Sequence, residues 1–188
     1  MPDFAKKRLI AEETSRKYYA ATEFQEEVTL DNIYSELLLF YAGQENELNL
    51  AKNIELNTEK SSIIPVIDNF YLIKKLQEQN KIIYFVSDTY FSKQFIEELL
   101  LQAGISDYGK LFVSSEIMKT KHSGRIWEEV LKHSGNKKIF HIGDNLHADV
   151  IQPKKYNIQT YHYSRLFGER RLGAQLTPSL VRFLYYKN

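Results

Sequence analysis

The 188 residues suffice for one full domain or a core with a small appendage, and 43% hydrophobic with 26% charged content is that of a globular chain. A net charge of +1 removes the electrostatic case for nucleic acid or an anionic membrane as partner, and zero cysteines exclude disulfides and thiolate metal sites. The longest apolar runs, 37–41 and 82–86, are too short to span a bilayer, and the opening MPDFAKKR lacks the apolar middle of a secretory signal, so a cytoplasmic location is the expectation.

In chain order, a loosely periodic helix is predicted over about 3–20. Leu30, Ile33, Tyr34, Leu37, Leu38 and Tyr41 fall at helical spacing behind Thr29, a good N-cap. Gly43 separates this helix from a third over about 45–60, with Leu48, Ala51 and Ile54 on one face. Pro65 suits a first helical turn, and Ile67, Phe70, Ile73 and Leu76 give that helix one apolar face, with Asn80 at its end. Residues 81–86 form a continuous apolar run, the mark of a strand buried on both sides. A helix over about 92–103 stops at Gly104, and a short strand covers 110–114. Ser123 can cap a helix carrying Ile126, Trp127, Val130 and Leu131, stopped by Gly135. A strand over 138–142, a short helix near Ala148 and a strand over 158–163 complete the alternation, with Pro153 cutting that last helix short. This order predicts an α/β fold: a Rossmann-like parallel sheet with helices on both faces, preceded by an all-helical segment. The division falls at residues 62–63. The tail over 167–188, with Arg170, Arg171 and Arg182, reads as a solvated basic helix or a docking element for a neighbouring domain.

Three polar clusters sit at or after predicted strand ends, where open parallel sheets gather ligands. Ser87-Asp88-Thr89 follows the 81–86 run, Lys121 precedes a helix, and Asp144 with Asp149 follows the 138–142 strand. Each alone has an ordinary explanation: a turn hydroxyl, a solvated lysine beside Lys119 and His122, a Gly-Asp-Asn turn, a helix cap. Together they supply a hydroxyl, a cation and a carboxylate pair, a combination suited to a phosphoryl group. A Mg²⁺ would help neutralise such a group. Asp144 is placed to ligate it, and Asp149 to fix a metal water or the Lys121 ammonium.

"YFVSDTY", "KTKHSGRIWEEVLK" and "IFHIGDNLHADV" resemble the second, third and fourth motifs of the haloacid dehalogenase superfamily over roughly residues 65–165. The helical first third is similar to that family's inserted cap. The resemblance implies an HAD-like core in which Ser87, Asp88 and Lys121 meet the phosphoryl group. Asp144, Asn145 and Asp149 would serve Mg²⁺, and the substrate would be a small phosphorylated metabolite.

One departure decides the most. The family's first motif is a strand ending in Asp-x-Asp, which supplies the nucleophile and the general acid. No Asp-x-Asp occurs in this sequence, and Asp3 follows no apolar strand. In the family that strand lies mid-sheet, so its neighbours would be left with unpaired N–H and C=O groups. The resemblance therefore predicts a phosphohydrolase fragment that is inactive as this chain. The alternative is a non-catalytic accessory domain of a larger protein. The unpaired edges favour self-association or a neighbouring domain. A phospho-receiver domain ranks far behind because the acids come last, and no Gly-x-Gly-x-x-Gly supports a dinucleotide site.

Overall fold

Three helices build the first third, one of them with a side-chain N-cap. A computed structural model of the chain describes residues 1–135, 137–163 and 184–186. Helix α1 (Phe4–Thr22) packs on α2 (Leu30–Leu38), and α3 (Glu45–Ser62) packs on α2. Thr29 caps α2 in a reciprocal box: its side chain accepts from Asn32 N–H, and Asn32 Oδ1 accepts from Thr29 N–H. Arg8, buried on α1, donates to both Glu55 oxygens on α3 at 3.1 and 2.7 Å, and the Tyr34 hydroxyl joins at 2.7 Å. This network ties the three helices together through satisfied charges.

Strand β1 (Ile63–Pro65) follows directly and pairs antiparallel with β6 (Leu184–Tyr186). Pro65 therefore ends a strand, where the sequence placed it in a helix. The residue before a proline is driven to extended backbone. Helix α4 (Ile67–Glu78) opens two residues later, and Asn80 beyond it holds a left-handed φ of 57°. The basic helix expected over 167–188 lies outside the described residues except at β6, which is strand.

The α/β part begins with β2 (Tyr84–Ser87), parallel to β3 (Lys110–Val113) in the register Tyr84 to Lys110 through Ser87 to Val113. The ladder starts later than the apolar run 81–86 because β3 begins only after Gly109. A side chain at Gly109 would collide with Ile82 and Tyr84. Helices α5 (Lys93–Gln102), α6 (Ser114–Ile117) and α7 (Ile126–Ser134) come from this region. Phe85, Leu111 and Val113 face a cluster with α1, α2, α4 and α5, while Val86 and Phe112 face Ile126, Trp127 and Val130 of α7. The ladder is thus buried on both faces, as parallel strands require.

Strand β4 (Phe140–Gly143) pairs parallel with β5 (Gln159–His162). Between them runs a π-helical turn, Leu146–Ile151, then α8 (Gln152–Lys154). Pro153 has no N–H to return to the Asp149 carbonyl, so an ordinary α-helix cannot run through this segment.

The architecture is mixed α/β with short parallel strands, but the single continuous sheet expected from the sequence is not formed among the described residues. Three two-stranded ladders replace it, β1–β6, β2–β3 and β4–β5. No rung joins β2 to β4. The first hydrophobic cluster runs from Ala11 to Val113, so the boundary expected at residues 62–63 is not a break in packing. No helix among the described residues is long and apolar enough to cross a membrane.

Candidate functional site

The site forms where β2 and β4 end. Asp88, directly after β2, accepts the Lys121 N–H at 2.8 Å and the His122 N–H at 3.3 Å. A carboxylate at one strand end thereby holds the backbone of the loop that carries the lysine. Glu26, between α1 and α2, grips the same loop: it accepts from Thr120 N–H at 2.9 Å, from the Ser123 hydroxyl, and from Arg125 at 3.0 Å. Burial pushes the Glu26 carboxyl up, but these donors outweigh it and hold the group below the usual range.

With its backbone fixed, Lys121 points inward and is 1% exposed. Its ammonium donates to Asp149 Oδ1 at 2.7 Å. Asp149 is fully buried on the π turn and also accepts from Asn145 N–H at 3.0 Å through Oδ2. His141 Nε2 reaches Oδ1 at 3.2 Å, and its ring lies 4.5 Å from that of Trp127. Burial works to raise the Asp149 carboxyl, but the His141 hydrogen bond and the Lys121 charge hold it well below the usual carboxylate range. Burial, reinforced by the Lys121 charge, lowers the His141 imidazole despite Asp149, so the ring is neutral at pH 7 and serves Asp149 as an N–H donor.

Gly143 explains why strand and acid fit together. A Cβ at this position would overlap Cβ and Cγ of Asp149. The missing side chain is the space the acid occupies.

The structure brings Asp88, Lys121 and Asp149 into one hydrogen-bonded group. Asp144 lies one residue beyond β4, with Oδ1 buried and no hydrogen-bond partner among the described residues. Asn145 turns its Oδ1 inward to cap the π turn at Ala148 N–H, 2.8 Å away. Ser87 closes β2 beside Asp88, and no hydrogen bond links its hydroxyl to the group among the described residues.

Sequence reading missed His141, Glu26, Glu27, Ser114 and Gly143. Strand alternation places His141 and Gly143 on one face, the face Asp149 meets, and that was a usable signal. Glu27 is buried between α1 and the β3 end, taking Arg16, Val28 N–H at 3.1 Å and the Ser114 hydroxyl at 2.9 Å. Burial raises its carboxyl above the ordinary value despite the Arg16 charge. Its partner Ser114 lies 87 residues away, too far for any local pattern to reveal.

Among the described residues no three acidic or histidine side chains gather as a metal cage. Mg²⁺ commonly takes one or two carboxylates and keeps its waters. Asp144, with a buried oxygen that has no hydrogen-bond partner among the described residues, fits one such position, while the Asn145 and Asp149 oxygens already accept hydrogen bonds. Lys121 uses one of three ammonium donors, which leaves two for an anion. No protein-family model and no curated protein matches the chain.

Proposed function

We propose that this chain is the phosphate-handling part of an HAD-type, Mg²⁺-dependent phosphohydrolase acting on a small phosphorylated metabolite, with a Rossmann-like core and a helical cap. The observation that carries the reading is the buried Lys121 ammonium, fixed by Asp149 at its tip and by Asp88 at its backbone. Such a lysine costs desolvation energy and is worth holding where phosphoryl charge must be met.

In this reading Lys121 turns its two free N–H donors toward the phosphoryl oxygens. Ser87 supplies a hydroxyl from the end of β2. Asp149 keeps Lys121 aimed, and His141 and Asn145 keep Asp149 aimed. Asp144 would hold Mg²⁺, which when bound supplies neutralising charge to the phosphoryl group. The carboxylate that attacks phosphorus has no candidate in this sequence, so no turnover is expected from the chain alone.

The test is inorganic phosphate binding by calorimetry, with and without Mg²⁺, alongside turnover of an aryl phosphate. Millimolar or tighter phosphate binding, strengthened by Mg²⁺ and lost in Asp144→Asn, supports the reading. Robust turnover by these 188 residues refutes the account of the nucleophile. Undetectable phosphate binding with Mg²⁺ refutes the reading as a whole. It then favours a non-catalytic HAD-like accessory domain, a reading that one observation already supports: Lys121, His141 and Asn145 engage both Asp149 oxygens internally.

A further inference from the structure

Two adjacent acids in the linker between α1 and α2 meet both loops of the site, and the proposed phosphate chemistry uses neither. Glu26 reaches the loop that carries Lys121. Its Oε2 accepts from Thr120 N–H at 2.9 Å and from the Ser123 hydroxyl at 2.5 Å, and its Oε1 accepts from Arg125 at 3.0 Å. Lys121 lies between the first two of these donors in the chain. The linker backbone joins in, with Glu26 N–H donating to the Met118 carbonyl at 3.3 Å.

Glu27 turns to the other loop. Its Oε2 accepts from the Ser114 hydroxyl at 2.9 Å, and Ser114 Oγ in turn accepts from Thr89 N–H at 2.8 Å. Thr89 directly follows Asp88, the carboxylate that accepts the Lys121 N–H. One residue further on, the Tyr90 carbonyl accepts from Leu30 N–H at 2.9 Å. Glu27, Ser114 and Thr89 are all buried, so this chain of bonds runs away from solvent. The two neighbouring carboxylates do not share a counter-charge: Arg125 pairs with Glu26 and Arg16 with Glu27.

We propose that Glu26 is a positioning residue for Lys121, itself held in place by the Glu27–Ser114–Thr89 chain. Asp88 holds the lysine loop at residues 121 and 122, and Glu26 holds it at 120, 123 and 125, so the lysine is bracketed. A carboxylate accepts several donors at once, and bonds to a charged acceptor are stronger than neutral ones. Such support fixes the direction in which a buried side chain leaves its loop, on which the geometry of a binding site depends. The positioning stands on these contacts. Its effect on phosphate affinity rests on the proposed function.

The test is NMR of the full chain carrying isotope-labelled lysine, in which an ammonium shielded from solvent gives an observable signal, alongside calorimetry with inorganic phosphate and Mg²⁺. The Lys121 signal is identified by its loss in Lys121→Met. Glu26→Ala should abolish that signal, speed amide exchange at residues 121–123 and weaken phosphate binding about tenfold, the effect of losing one bond to a charged group. Glu26→Gln keeps one oxygen for Thr120 and Ser123, so it should restore the signal and bring phosphate binding within about threefold of the parent. Leu99→Ala opens a cavity in the first hydrophobic cluster; it lowers the urea midpoint and should leave the signal in place. Signal and phosphate affinity unchanged in Glu26→Ala overturn the proposal. A signal lost equally in Leu99→Ala overturns it too, because Glu26 then stabilises the fold without aiming the lysine. Absence of a Lys121 signal in the parent does the same, since the ammonium is then not held. Should Glu26→Ala not fold, Ser123→Ala, an exposed change that removes one of the bonds, decides by the same signal. A signal that depends on Glu26 in a chain that binds no phosphate leaves the positioning standing and removes only the phosphohydrolase reading.

Discussion

Replacing Lys121 with methionine isolates the energy of the buried pair. Lys121 is 1% exposed and Asp149 0%, with 2.7 Å between Nζ and Oδ1. At an effective dielectric of about 20, two unit charges at that distance attract by roughly 6 kcal/mol. Desolvating both charges consumes much of this, and breaking a buried pair by removing one partner costs about 3–5 kcal/mol. Asp149 keeps its bonds from His141 and Asn145 N–H, which places Lys121→Met near the lower end, about 3 kcal/mol. Adding Asp149→Asn removes the stranded charge, so the double variant is more stable than Lys121→Met by at least about 1 kcal/mol. Urea unfolding followed by the single tryptophan, buried Trp127 beside His141, reads both values. A loss under about 1 kcal/mol in Lys121→Met, or costs that add in the double variant, would refute the claim that the pair is a coupled unit.

Gly143→Ala drives a methyl group into the Asp149 carboxyl and should cost about 1–3 kcal/mol or more; urea unfolding that matches the parent would show that the acid does not fill that space. Acid should weaken the fold through His141. Its folded pKa lies below the ordinary 6.5, so its contribution is fully present above pH 6.5 and is lost as pH falls through the folded value. His141→Gln should flatten the drop in stability between pH 7 and 5, leaving the Asp149 contribution to fail only below pH 3.8; equal slopes in parent and variant would count against the assignment.

Local signals carried much of the fold. Thr29 and Gly104 marked helix ends because capping depends on a few neighbouring residues, and each acts near its expected place. Asp88, Lys121 and Asp149 were visible as polar residues near predicted strand ends, and hydrogen bonds link them. Pro65 misled because proline serves both a helix start and a strand edge, and the choice rests on pairing with residues 184–186. The start of β2 depended on Gly109, a steric fact about the neighbouring strand. Glu26 and Glu27 gave no signal, since their partners lie 87 to 99 residues away in all cases but Arg16 and Val28.

Those two adjacent acids also bear on how the chain comes into being. A polypeptide emerges from its N-terminus, and the first helices can pack before the rest is made. Glu27 must then wait for Ser114, and Glu26 for Thr120, Ser123 and Arg125. Until residues 114–125 have been synthesised, the segment between α1 and α2 carries two carboxylates lacking most of their donors. Those donors arrive only when loops of 87 to 99 residues close, contacts of the non-local kind that slow folding.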